Sequence, residues 1–256
     1  MLLVIDVGNT NTVLGIFDGD RMIRDWRIRT ERWTTADEYN FLLSGLFAAG
    51  GIRPEAIRKT IVSCVVPPIV SIIEGFCRKY LGHAPNWVDA RSVSHVMPIL
   101  YNNPAEVGAD RIVNAIAAYK RYPQALIVID FGTATTFDVI SAQGEYVGGA
   151  ITPGIMVASD ALFMAASKLP RVDLFSPPDQ VIGRDTADSI KSGIIFGYAG
   201  LVDGMVARMS TEMRCDPAPR VIATGGLADL MVQVAETIEI VDHALTLEGL
   251  RIISES

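Results

Sequence analysis

The chain has 256 residues, a formal net charge of −7 and a pI of about 5.0, with half its residues hydrophobic and a fifth charged. Such a chain can bury a sizeable core, so wholesale disorder is excluded, and its length sets a prior of one to two domains. Its five lysines are scattered and its arginines cluster only loosely, at Arg21, Arg24, Arg27 and Arg29. No basic face for nucleic acid follows from this, and the cluster reads as a solvated edge.

The N-terminal MLLVID meets Asp6 without a basic lead, which is unlike a secretory signal. Charge-free stretches such as 146–159 are too short and too rich in glycine for a span of ~20 apolar residues, so no membrane partner is expected. Cys64, Cys77 and Cys215 are an odd number without a CxxC pair, and His83, His95 and His243 lie far apart. Reduced thiols, a cytoplasmic setting and no cysteine- or histidine-based metal centre are the expectation.

Residues 5–13 read IDVGNTNTV and residues 129–137 read IDFGTATTF, an offset close to half the chain, with Thr12 aligned to Thr136. Each copy ends an apolar run and is followed by more apolar sequence, which reads as strand, tight polar turn, strand. A helix is expected over 36–49, with Thr35 as N-cap, Glu38 completing a capping box, and Tyr39, Leu42, Leu43, Leu46 and Phe47 on one face. Another follows Pro67 and Pro68, carrying Ile69, Ile72, Ile73, Phe76, Cys77 and Tyr80, and ends at Gly82. The stretch 92–106 reads as an irregular loop, and a third helix covers 107–121. The runs at 61–68 and 221–228, and those at 86–90 and 238–244, pair in the same order as the two turns. Each half therefore reads hairpin, helix, strand, helix, strand, the mark of a duplication.

An Asp-x-Gly turn offers backbone N–H groups at close range, and glycine lets a phosphate approach. Thr10, Thr12, Thr133, Thr135 and Thr136 add hydroxyls. Asp6 and Asp130 would repel phosphate directly and suit a site with a cation between. Two such turns are expected to clamp a polyphosphate. No GxxxxGK[ST] or GxGxxG string is present, and Asp130-Phe131-Gly132 lacks the remainder of a protein-kinase signature.

This pattern resembles the superfamily of actin, sugar kinases and acetate kinase. The resemblance implies an α/β chain of two duplicated ribonuclease H-like (actin-like ATPase) domains with mixed sheets flanked by helices, here 1–122 and 123–256. Within it the sequence closely resembles type III pantothenate kinases. The shared strings are DxGNT with its later glycine (Asp6 to Thr10, Gly15), GADR (Gly108 to Arg111), DxGTAxT (Asp130 to Thr136), GGxIxPG (Gly148 to Gly154) and TGG (Thr224 to Gly226).

The resemblance implies ATP-dependent phosphorylation of pantothenate to 4'-phosphopantothenate, the first step of coenzyme A biosynthesis, with Asp110 as general base. It assigns Asp6, Gly8, Asn9, Thr10, Asn11, Thr12 and Thr133 to ATP. To substrate it assigns Tyr101, Gly108, Ala109, Asp110, Arg111 and Thr186. It implies Mg²⁺ with ATP, K⁺ or NH₄⁺ at Asp130, and a homodimer whose substrate site is shared between subunits. Two alternatives stand beside it. One is a sugar or acetate kinase-like enzyme, whose chains usually run longer. The other is a non-catalytic nucleotide-binding transcription accessory factor, which loss of Asp110 or Arg111 would have favoured.

Gly193, Gly197, Gly200 and Gly204 fall on one narrow helical stripe. Each interior glycine costs about 1 kcal/mol relative to alanine, so a close-packed helix is expected there, within the domain or across a dimer.

Overall fold

The computed structural model describes all 256 residues, and its order begins with the first expected hairpin, β1 (Leu2–Val7) and β2 (Asn11–Asp18). The arginine cluster forms a third strand, β3 (Arg21–Arg29), at the sheet edge. After α1 (Ala36–Gly50) comes β4 (Lys59–Cys64), then α2 (Val70–Phe76) and β5 (Asn86–Trp87). An irregular stretch leads to α3 (Ala109–Arg121).

The second half repeats the scheme. It has β6 (Leu126–Phe131), β7 (Ala134–Ile140) and β8 (Tyr146–Pro153), then α4 (Ile155–Ala165) and the 28-residue α5 (Thr186–Met213). It continues with β9 (Arg220–Gly225), α6 (Ala228–Met231), β10 (Ile240–Val241) and α7 (Leu245–Glu255).

The two sheets run β3-β2-β1-β4-β5 and β8-β7-β6-β9-β10, the same order in both copies. In each, the central strand is antiparallel to its hairpin partner and parallel to the next strand. The chain divides into one unit of Met1–Ala117 with Ala244–Ser256, and a second of Ala118–His243. The division falls inside α3, and α7 belongs to the first unit, unlike the contiguous halves 1–122 and 123–256 expected from the repeat.

In the first unit, Leu3, Ile5, Val7, Leu14 and Ile16 make one buried core with Tyr39, Leu43 and Phe47 of α1 and Ile73 and Phe76 of α2. The buried stripe of α1 is narrower than its sequence suggests, since Leu42 is exposed. The opposite sheet face carries Val4 and Gly15 and is met by Leu247 of α7. A side chain at Gly249 would lie 2.4 Å from the Val113 carbonyl, so glycine lets α7 cross α3 closely. In the second unit, Ile127, Ile129, Phe131, Phe137 and Val139 pack with Ile195, Val202 and Val206 of α5.

By length and composition α5 is the one helix able to cross a membrane, and a third of its apolar window is buried, with Ile195, Val202 and Val206 in this core. Nothing lies within 4 Å of where side chains at Gly193, Gly197 and Gly200 would stand, so the helix expected against that stripe is not supplied by this unit. Cys64, Cys77 and Cys215 are free thiols.

The start of α1 shows why local sequence fixes its boundary. The Thr35 hydroxyl accepts from the Glu38 N–H at 3.2 Å, and the Glu38 carboxylate accepts from the Thr35 N–H at 2.8 Å. Gly51, at φ 71°, stops the helix in the left-handed region. Thr35→Ala removes half of this box and should lower stability by about 1 kcal/mol, read from denaturant-induced unfolding.

Candidate active site

Both Asp-x-Gly turns lie where a central strand ends. Asp6 stands opposite Val13 on β2 and Ser63 on β4. Asp130 stands opposite Thr136 on β7 and Thr224 on β9. The turns differ by one residue, because Val7 pairs with Thr12 whereas Phe131 pairs with Thr135. Strand side chains alternate, so this single residue reverses the face. Thr12 therefore corresponds to Thr135, not to Thr136 as the aligned strings suggest. Thr12 points with Leu14 into the core, fully buried, 2.9 Å from the Thr30 hydroxyl. Thr135 is equally buried on the face of Phe137, its hydroxyl without a hydrogen-bond partner. Thr136 shares the face of Asp130 and donates to Asp138 at 3.3 Å.

In the first turn the Gly8 N–H donates to the Asn11 carbonyl at 3.0 Å, and Asn9 and Thr10 are exposed at its tip. The end of β3 is strapped over it. The Thr30 N–H donates to the Thr10 carbonyl at 3.0 Å and the Thr30 hydroxyl to the Gly8 carbonyl at 2.7 Å. No repeat or motif in the sequence marks Thr30, because its role comes from β3 lying beside β2.

The GADR residues open α3 in the same unit. Gly108 precedes the helix and its carbonyl accepts from the Ile112 N–H at 3.2 Å. Asp110 takes the Arg111 N–H at 2.8 Å. Burial pushes the Asp110 carboxyl above the ordinary carboxylate range, against the Arg111 N–H and guanidinium, which hold it down. Burial also raises the Cys64 thiol, with the charges of Asp6 and Asp110 adding to the rise. The ends of β1 and β4 and the start of α3 thus bring Asp6, Cys64 and Asp110 into one neighbourhood. Arg111 and Ala109 are buried, and Tyr101 is half-buried in the irregular stretch.

The second turn is packed by the two remaining motifs. A side chain at Gly154 would stand 2.4 Å from the carbonyl oxygens of Gly132 and Thr133, and the Gly154 N–H donates to the Thr133 carbonyl at 3.0 Å. Gly225, at φ 90°, leaves space for the Asp130 carboxylate, which a side chain there would meet at 2.4 Å. Thr133 is exposed at the turn. Asp138, fully buried, accepts from the Tyr146 hydroxyl at 2.7 Å, a feature the strings did not mark. Thr186 is the first residue of α5, exposed, and Asp185 caps the helix by accepting from the Asp188 N–H at 2.8 Å.

The donors near Asp6 are hard oxygens, and the Ser63 hydroxyl opposite it is buried without a hydrogen-bond partner. No cluster of three or more His, Cys, Asp or Glu residues is present that could cage a metal. This set suits Mg²⁺ arriving with nucleotide phosphates, which needs only one or two protein carboxylates.

Two like-ordered mixed sheets, each ending its central strand in an Asp-x-Gly turn, define the duplicated fold of actin-like ATPases and sugar kinases. An N-acetylglucosamine kinase fold from Porphyromonas gingivalis matches over 99% of this chain and 98% of its own, with 13% identity and a TM-score of 0.53. A Baf family transcriptional activator from Campylobacter jejuni matches over 99% and 97%, with 18% identity and a TM-score of 0.62. Residues 2–208 match the family model described as type III pantothenate kinase. A type III pantothenate kinase of Desulfatibacillum aliphaticivorans is 68% identical over 253 residues, 99% of this chain and 97% of that one. The chain belongs to the type III pantothenate kinase family.

Two glycines of the site predict losses of different size. Gly154→Ala drives a methyl group into backbone atoms and should cost about 1–3 kcal/mol of stability in denaturant-induced unfolding. Gly108→Ala meets only the tip of the Asp110 side chain, at 2.6 Å, and should cost less than about 1 kcal/mol while moving that carboxylate.

Proposed function

We propose that this chain transfers the γ-phosphoryl group of ATP to the primary hydroxyl of pantothenate, giving ADP and 4'-phosphopantothenate. The observation that carries the reading is Asp110, a buried carboxylate with a raised pKa at the start of α3, beside Arg111 and in the neighbourhood of Asp6. A base poised in this way takes the hydroxyl proton as the oxygen attacks phosphorus and ADP departs.

Arg111 keeps its charge when buried and suits the pantothenate carboxylate through charge-assisted hydrogen bonds. Gly108 and Ala109 bring the backbone of this segment close to substrate, and Tyr101 adds a contact from the preceding loop. Gly8, Asn9, Thr10 and Asn11 present the first turn to the phosphates. Thr12, whose hydroxyl is engaged with Thr30, serves the nucleotide by bracing the strap that holds Gly8 and Thr10. Asp6 would hold Mg²⁺, which neutralises phosphate charge when bound. Thr133 contacts phosphate, and Asp130 takes a monovalent cation, K⁺ or NH₄⁺.

Two protomers associate through α5, and Thr186 serves the pantothenate site of the partner subunit. The open space along Gly193, Gly197 and Gly200 supports this assembly, since four interior glycines would otherwise cost about 4 kcal/mol without a compensating contact. Gly197→Leu should convert the dimer to monomer in light scattering, and an unchanged mass would count against an α5 interface.

A coupled assay tests the activity. ADP release should depend on pantothenate and be faster in K⁺ than in Na⁺, and no pantothenate-dependent turnover in K⁺ would sink the reading. Asp110→Asn should lower kcat by about 10²–10⁴-fold with little change in pantothenate binding. The acid limb of kcat/KM should lie above the ordinary carboxylate value of 3.8. The folded-state pKa of Asp110 is raised, so its stabilising contribution exists below the unfolded pKa and is lost as pH rises through the folded value. At neutral pH Asp110→Asn should therefore unfold at an equal or higher denaturant concentration.

A further inference from the structure

The strap over the first turn continues past Thr30. Arg32 reaches back and donates from Nη2 to the Oδ1 of Asn9 at 3.0 Å. An asparagine amide has one accepting end and one donating end, whereas a guanidinium can only donate. The contact with Arg32 therefore decides which way Asn9 is turned: Oδ1 faces the arginine and the NH₂ edge faces away from it. Reversal of the amide would set donors against donors and lose the hydrogen bond.

Charge adds to this. Arg29 lies 3.7 Å from Glu31, while Arg32 makes no ion pair. Both arginines and Glu31 line an open depression of roughly 480 Å³ with Asn9, Thr10 and Trp33, and the Trp33 side chain is 92% exposed. The first turn thus carries oriented amide donors beside two arginines and one carboxylate, and that carboxylate, Glu31, pairs with Arg29 and leaves the depression a net positive charge. Both are complementary to a polyanion.

We propose that Arg32 is a positioning residue for the nucleotide: it holds Asn9 with its amide donors toward the phosphates and brings a positive charge to the first turn. This rests on the reading that the first turn takes the phosphates of ATP. Lysine is a poor substitute, because a point charge on a flexible stem lacks the planar edge that fixes the Asn9 amide.

The test is calorimetric titration of ADP into the full-length protein, beside steady-state kinetics, for Arg32→Ala, Arg32→Lys, Asn9→Ala and the Arg32→Ala/Asn9→Ala pair. Arg32 is exposed, so none of its variants removes core contacts. Arg32→Ala should weaken ADP and raise the KM for ATP about tenfold, with kcat and the KM for pantothenate within about twofold. Arg32→Lys should recover only part of the loss. The pair should weaken ADP by less than the product of the two single effects, because removing either partner breaks the same arrangement.

ADP affinity within twofold of the unmodified protein in Arg32→Ala, or independent effects in the pair, would overturn the proposal. Calorimetry reads the nucleotide alone. A chain that binds ADP through Arg32 yet never phosphorylates pantothenate would refute the activity and leave this proposal standing. Pantothenate turnover with undiminished ADP affinity in Arg32→Ala would refute this proposal alone.

Discussion

The architecture of each unit depends on one strand with both edges already committed. β1 hydrogen-bonds to β2 on one side and β4 on the other, and β6 does the same with β7 and β9. Along such a strand every backbone donor and acceptor belongs to the ladder, so none is available to a ligand. Backbone groups become available only where the strand stops, after Val7 and after Phe131. Polar chemistry concentrates at those two places, and the glycines there keep the backbone open to a bound anion.

That constraint makes the turns sensitive to single residues. The first turn holds one residue more than the second, and the pleat converts that into a reversal of face. A threonine aligned with Thr136 by sequence, Thr12, ends in the core and braces Thr30. β3 gains its importance in this way. It is an edge strand with a charged outer surface, yet Thr30, the residue that follows it, ties down Gly8 and Thr10. The motifs around the second turn act similarly, with Gly154 and Gly225 valued for the atoms they lack.

Asp110 shows a different balance. Burial disfavours its charged form, while the N–H of Arg111 and the guanidinium beside it favour that form, and burial prevails. An ionised carboxylate held at this cost does little for folding and is suited to accept a proton. Gly108 is part of the same arrangement, because the carboxylate occupies space that a side chain there would fill.

The sequence by itself determined the duplication, the two Asp-x-Gly turns, the boundary of α1 and the GADR, PG and TGG strings, because these are written in local chemistry: apolar runs, a capping box, and glycines next to polar residues. The membership of the family was legible for the same reason. Only the tertiary structure decided that α7 returns to the first unit, that Thr12 and Thr136 face opposite ways, that Gly154 and Gly225 serve the second turn, and that Thr30 and Arg32 brace the first. Each of these depends on strand register or on segments distant in the chain meeting in space. A one-residue change of register or a crossing of two helices leaves no periodic mark in the sequence to read.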